Sequence, residues 1–221
     1  MLVYKLTDQD GRTYNNTQWG ENVTHETDGE GPLCTKGWLH FYSSPELAIL
    51  MNPVHVDFTN PKMWLAKAEG IFKDDFGRKG GCTKLTTLYE IPVPVITETQ
   101  KIAFGILCAL EVFDDKEFQK WANNWLKNKD RTEEAAYVVA KATYAMYTAP
   151  YVAYGIVKAV INATSVAACP ANVSIWVADA VYYAADAAIS KNHSLYYVAD
   201  AAILKNHFLD FQKIIKKALT Y

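Results

Sequence analysis

The chain has 221 residues, of which 50% are hydrophobic and 21% charged, a balance that excludes wholesale disorder and suits one composite domain or two small ones. The formal net charge is −2, about −3 up to Thr97 and +1 beyond it. Neither part carries the basic field that phosphate neutralisation needs, so duplex nucleic acid is not an expected partner. Cys34, Cys82, Cys108 and Cys169 form no CxxC pair, which leaves zinc knuckles, redox motifs and disulfide frameworks without support.

The residues after Met1 lack the basic start and long apolar run of a secretory signal, so the expected location is the cytoplasm. Tyr151 to Cys169 is the longest apolar stretch, but Lys158, Asn162, Thr164 and Ser165 interrupt it and make it a poor membrane span. No membrane association is expected.

In chain order, Leu2-Val3-Tyr4-Lys5-Leu6 reads as a strand and Asp8-Gln9-Asp10-Gly11 as a turn, which together predict an opening hairpin. Asn15 to Pro32 is polar and aperiodic and predicts a long exposed excursion. The aromatic run from Cys34 to Tyr42 predicts a central strand. Ser44 and Pro45 are placed to start a short helix that Asn52-Pro53 stops. Met63 to Ile71 and Lys84 to Val95 predict two further strands around a charged, glycine-rich turn from Asp74 to Gly81.

From Thr99 the apolar period changes from two to 3.6. Helices are predicted over Gln100–Val112, over Asp115–Asn128 with an Asp114 cap, over Glu133–Thr148 with a Thr132 cap, and over Pro150–Ala163. A last helical stretch runs from Asn172 to Leu219, with a break expected near Lys191 to Ser194. The predicted fold class is therefore α+β: a β-rich domain over 1–97 with one short helix, then an Ala/Tyr-rich antiparallel helical bundle over 98–221.

Tyr182 to Leu195 recurs as Tyr196 to Leu209, with eleven of fourteen positions identical. Fourteen residues is nearly four helical turns, so equivalent side chains return to almost the same face. Duplication of a helical packing unit is the simpler reading. The alternative is a polar stripe of Tyr183, Asp186, His193, Tyr197, Asp200 and His207 that serves a partner or a homo-oligomer. His193 and His207 lack companions at metal-ligand spacing, so no metal and no cofactor are expected.

No nucleophile elbow, phosphate loop, HExxH pair or dinucleotide-binding glycine pattern occurs. No catalytic residue is assigned. The candidate ligand-binding residues are Tyr4, Lys5, Trp38, His40, Tyr42, Glu69 and Lys84, which a sheet could gather because alternate residues on neighbouring strands share a face. Each also has a structural reading. His40 suits a histidine satisfied by backbone at a strand end, Glu69 suits an ion pair with Lys67 or Lys84, and Trp38 and Tyr42 suit a β core.

Tyr4-Lys5, the polar excursion, Gly37-Trp38-Leu39-His40 followed by Ser43-Ser44-Pro45-Glu46, then Ala68-Glu69-Gly70 and Thr83-Lys84 form a recognisable series. Over about residues 1 to 95 it resembles an uncharacterised domain family of bacteriophage and prophage proteins. The Ala/Tyr/Asp-rich tail resembles helical repeats attached to many such proteins. The resemblance implies a phage accessory protein without an assigned activity. The leading expectation is action by binding, as a counter-defence factor that sequesters a small nucleotide-like signal or a host protein. Two alternatives stand beside it. One is a small nucleotide-processing or ADP-ribosyltransferase-like enzyme with Tyr4, His40, Glu69 and Lys84 around one cleft. The other is a structural oligomerisation module.

Overall fold

The computed structural model describes residues 1–146, 154–168, 175–177, 179–180, 183–184 and 209–221. The fold is mixed α+β, and the chain divides into two compact units, Met1–Val95 and Ile96–Tyr221.

The first unit is built on one long antiparallel hairpin, β6 (Lys62–Asp74) with β7 (Gly80–Ile91). Strand β1 (Leu2–Thr7) runs antiparallel along the outer edge of β6, with Leu2 opposite Lys67 and Thr7 opposite Lys62. On the far edge of β7 two short strands lie end to end. β4 (Val23–Glu26) faces Lys84–Thr87, and β5 (Leu39–Phe41) faces Gly80–Cys82. The sheet curls until Tyr42, just past β5, exchanges both backbone hydrogen bonds with Tyr4 of β1, at 2.9 and 2.8 Å.

Two irregularities in β6 assist the curl, at Leu65/Ala66 and at Glu69/Phe72, since extra residues in one strand bend it and increase its twist. Gly70 occupies the second with φ +83°, a conformation that strains other residues. Val3, Trp19, Leu39, Phe41, Ala66, Ala68, Cys82 and Leu85 fill the concave side. The helix α1 (Pro45–His55) packs against β1 and buries Leu47, Ala48, Leu50 and Met51. Ser44 caps it by accepting from the Leu47 N–H at 3.2 Å.

Several expectations are corrected here. Strand β1 does not form the opening hairpin. After the turn at Asp8–Gly11, the short β2 (Arg12–Thr13) pairs with β3 (Thr17–Gln18), and β1 takes its partner from β6. The polar excursion holds β4, because a free strand edge needs backbone partners and not an apolar pattern. It also holds Trp19, only 2% exposed. The run from Cys34 is strand only over Leu39–Phe41, since the Trp38 N–H turns back to the Thr35 carbonyl at 3.4 Å. Helix α1 carries Pro53 inside its last turn and ends at His55. Asn52 ends the helix: its carbonyl accepts from Val56 and Asp57, and its side chain bonds both backbone groups of Phe58, at 2.9 and 3.1 Å.

The described residues of the second unit include α2 (Glu98–Val112), α3 (Lys116–Leu126), α4 (Glu133–Met146), α5 (Tyr154–Ala168) and α6 (Phe211–Ala218). Helix α2 opens with a capping box, Thr97 bonded to Gln100 in both directions. It is buried almost all round, from Ile102 to Ala109, and packs against α3, α5 and α6. Helix α3 presents Phe118, Trp121, Ala122 and Trp125 on one face and is capped by Asp115 rather than Asp114. The helical stretch expected over Asn172 to Leu219, with its break near Lys191 to Ser194, is also interrupted at Leu209–Asp210: Asp210 caps α6 afresh by accepting from the Lys213 N–H at 3.0 Å. Its side chain competes for backbone donors, which favours a cap over a helix interior. Helix α5 continues to Ala168, beyond the expected end at Ala163. Its predicted start at Pro150 and the predicted end of α4 at Thr148 lie outside the described residues, as do the expected break near Lys191 and most of the repeat.

At Gly80 a Cβ would overlap the ring of the buried Phe41. Gly80→Ala is expected to lower stability by about 1–3 kcal/mol, read as a lower urea midpoint. An unchanged midpoint would show that Phe41 has room to yield.

Candidate functional site

Residues 28–37 fold back on themselves, the Gly29 N–H bonding the Gly37 carbonyl at 3.0 Å. Side chains from the sheet hold this loop at three successive places. The Gly31 carbonyl accepts from Trp38 Nε1 at 3.0 Å and from Lys73 Nζ at 2.6 Å. The Leu33 carbonyl meets His40 Nε2 at 2.5 Å, and Cys34 Sγ accepts from Lys79 Nζ at 3.2 Å. Lys73 also lies over the Trp38 ring, 4.7 Å from its centroid.

Beneath the loop the site is rich in buried polar groups. Lys5 lies on the same face of β1 as Val3 and is 6% exposed. Its ammonium donates to the His40 carbonyl at 2.9 Å and sits 4.8 Å from the centroid of Trp19, with no carboxylate partner among the described residues. Burial lowers it to about 8, because a charged amine loses hydration that one carbonyl and one ring only partly replace. Burial also lowers His40 to about 4, assisted by Lys5 and Lys79 and opposed by the Leu33 carbonyl. His55 Nδ1 shares a 2.9 Å hydrogen bond with the buried Tyr42 hydroxyl, their rings stacked at 5.8 Å. Burial, then Lys79, Arg78 and His40, lower His55 to about 3, while burial pushes the Tyr42 phenol up. Arg78, 4% exposed, pairs with Asp75 at 3.0 Å.

Glu69 and Lys84 are cross-strand partners, but each makes its closest ion pair elsewhere. Glu69 meets Lys67 at 2.8 Å and Lys84 meets Glu26 at 2.6 Å, both among well-exposed side chains. Such pairs contribute little to stability. They form a solvated charge ladder, not a buried general base.

Beside the turn of the β6–β7 hairpin is a notch of about 330 Å³, lined by Met1, Phe41, Ser43, Phe72, Lys73, Asp74, Gly77, Lys79 and Gly80. Phe72 is 46% exposed and meets Phe41 edge to face at 6.4 Å. Lys73 and Lys79 each make one hydrogen bond, to a carbonyl and to a thiol, so each retains donors for a further acceptor. Asp74 accepts from the Gly77 N–H at 2.8 Å, and burial raises its carboxyl.

None of Tyr4, Lys5, Trp38, His40, Tyr42, Glu69 and Lys84 lines this notch. Lys5, Trp38, His40 and Tyr42 form the buried support next to the loop, while Glu69 and Lys84 face solvent. The expected single cleft with Tyr4, His40, Glu69 and Lys84 is not what these positions form. Of the wall residues, Lys79 belongs to the segment read as a charged turn, Asp74 to Gly81, whereas Phe72 and Lys73 lie between that segment and the strand expected to end at Ile71. A signal was present there in the two phenylalanines, Phe72 and Phe76, among five charged residues. In the second unit Tyr183 is half-buried, whereas Asp186, His193, Tyr197, Asp200 and His207 lie outside the described residues. Among the described residues no group of three or more His, Cys, Asp or Glu is placed to hold a metal ion, and no helix is long and apolar enough to cross a membrane.

Burial holds His40 and His55 in the folded state below the ordinary value of 6.5, at about 4 and about 3. Between those limits the unfolded chain binds more protons. Their contribution is therefore fully present above about pH 6.5 and is lost as the pH falls through the range, by up to about 1.4 kcal/mol per pH unit for each histidine. We expect His55→Gln to flatten the urea-derived stability profile between about pH 6 and pH 4 by close to one such slope. Parallel profiles for variant and wild type would mean that His55 protonates freely in the folded protein. Comparison with known proteins finds no matching family model, no match among curated proteins and none among solved structures.

Proposed function

We propose that the first unit acts by binding a small anionic aromatic molecule, of nucleotide class, in the notch beside the β6–β7 turn. The observation that carries this reading is Phe72. A phenylalanine 46% exposed on the wall of a concavity offers a stacking face to a base, as aromatic platforms do in nucleic-acid recognition. Lys73 follows it in sequence and Lys79 faces the same space, which supports a charged group at one end of the ligand. Ser43 and the backbone at Gly77 and Gly80 add polar groups that orient a ligand without side-chain bulk. The volume lies at the small end of the range of about 300–1,000 Å³ usual for ligand pockets, which favours a mononucleotide or a compact cyclic derivative over a long polymer. The resemblance of residues 1 to 95 to phage domains supports sequestration of such a signal, in the manner of a counter-defence factor, as the biological use of the site.

Isothermal titration against a panel of linear and cyclic nucleotides tests the reading. At least one is expected to bind, and Phe72→Ala is expected to weaken it by about tenfold or more, since stacking on an aromatic side chain contributes about 1–3 kcal/mol per base. Phe72 is half outside the core, so its thermal transition should stay close to that of the wild type. Absence of binding across the panel at millimolar concentration, or binding indifferent to Phe72→Ala, contradicts the assignment.

A further inference from the structure

We propose that Cys34 is a modification site, a reactive thiol that exchanges with small disulfides under the influence of the Lys79 ammonium. Cys34 is exposed on the tethered loop. The ammonium that donates to its sulfur at 3.2 Å belongs to a lysine only 9% exposed. Among the described residues that cation has no carboxylate of its own: Asp75 pairs with Arg78 at 3.0 Å and Asp74 accepts from the Gly77 N–H at 2.8 Å. A neutral thiol is a weak acceptor, so a buried ammonium aimed at it is poorly compensated. A sulfur carrying negative charge supplies the missing counter-charge. An exposed cysteine beside a fixed cation is the usual setting of a reactive one.

The loop geometry keeps the pair together. Leu33, next to Cys34, is held through its carbonyl by His40, and on the other side the Thr35 hydroxyl bonds the Pro32 carbonyl at 2.8 Å. In the exchange, Cys34 gives its proton to solvent and its sulfur attacks one sulfur of the reagent R–S–S–R. The new S–S bond forms as the old one breaks. RS⁻ leaves with the electron pair and takes a proton from solvent, so the disulfide is the only oxidant required. Lys79 acts as a positioning residue whose charge stabilises the negative charge shared along the three sulfurs. The other described cysteines are poorly suited to the reaction. Cys82 and Cys108 are buried, and burial pushes both thiols up, Cys82 to about 11.

The intact protein is to be reacted with dithiodipyridine at neutral pH, following thiopyridone release by absorbance and locating the label by peptide mass. Cys34 is expected to react first, about tenfold faster than glutathione under the same conditions. Lys79→Met is expected to remove most of that advantage and Lys79→Arg to retain it, a rescue that follows charge and not mere occupancy. The proposal is overturned if Cys34 in the wild type is no faster than glutathione, or if folded Lys79→Met reacts at the wild-type rate. Should Lys79→Met fail to fold, the wild-type ratio to glutathione and the Lys79→Arg rate decide between the two outcomes.

Discussion

The first unit depends on one constraint: β1 is bonded on both of its edges. β6 takes one edge along six residues, and Tyr42 takes the other through the paired hydrogen bonds with Tyr4. A sheet whose margins meet in this way buries the side chains of its concave side. Every second side chain of β1 must then point inward, and the sequence places Lys5 there. The cost of that burial is spread over its neighbours. The His40 carbonyl and the Trp19 ring take the ammonium, and its charge helps to keep the imidazole of His40 neutral.

The loop over residues 28–37 follows from the same arrangement. A neutral His40 ring offers an N–H to the Leu33 carbonyl, Trp38 and Lys73 converge on the Gly31 carbonyl, and Lys79 reaches Cys34. Gly80 and Gly81 are required because their missing side chains leave space for Phe41, Trp38 and Leu33. Where the hairpin continues past this packed region, the end of β6 carries Phe72 and Lys73 out to the notch. The side chains of the support are engaged with the loop, whereas the wall of the notch keeps an exposed ring and spare lysine donors. That contrast between an over-determined base and an under-used surface is the physical ground for locating function at the turn.

Much of the scaffold was legible in the sequence because local signals agreed with tertiary demand. Ser44-Pro45 opens α1, and the change of apolar period at Thr99 marks the helix α2. What could not be read was long-range pairing. The choice of β6 over β2 as the partner of β1 depends on the curl of a sheet assembled from segments more than fifty residues apart, and β4 pairs through backbone groups that carry no sequence pattern. The caps at Asp115 and Asp210 were ambiguous because neighbouring acidic or helix-forming residues compete for the same position. At the site, His40 was legible as a histidine held by a carbonyl, and Glu69 as one half of an exposed pair with Lys67. The burial of Lys5 was hidden, since a lysine in an edge-like strand reads as solvent-facing until both edges are known to be occupied.

The most direct measurement is the titration of Lys5 by NMR, following its side-chain carbon resonance in lysine-labelled protein and assigning it by its loss in Lys5→Met. If the sheet closes around this ammonium as described, its midpoint falls to about 8. A midpoint at the ordinary lysine value of 10.5 would mean that Lys5 reaches water, and that β1 is open on the edge where Tyr4 and Tyr42 are placed together.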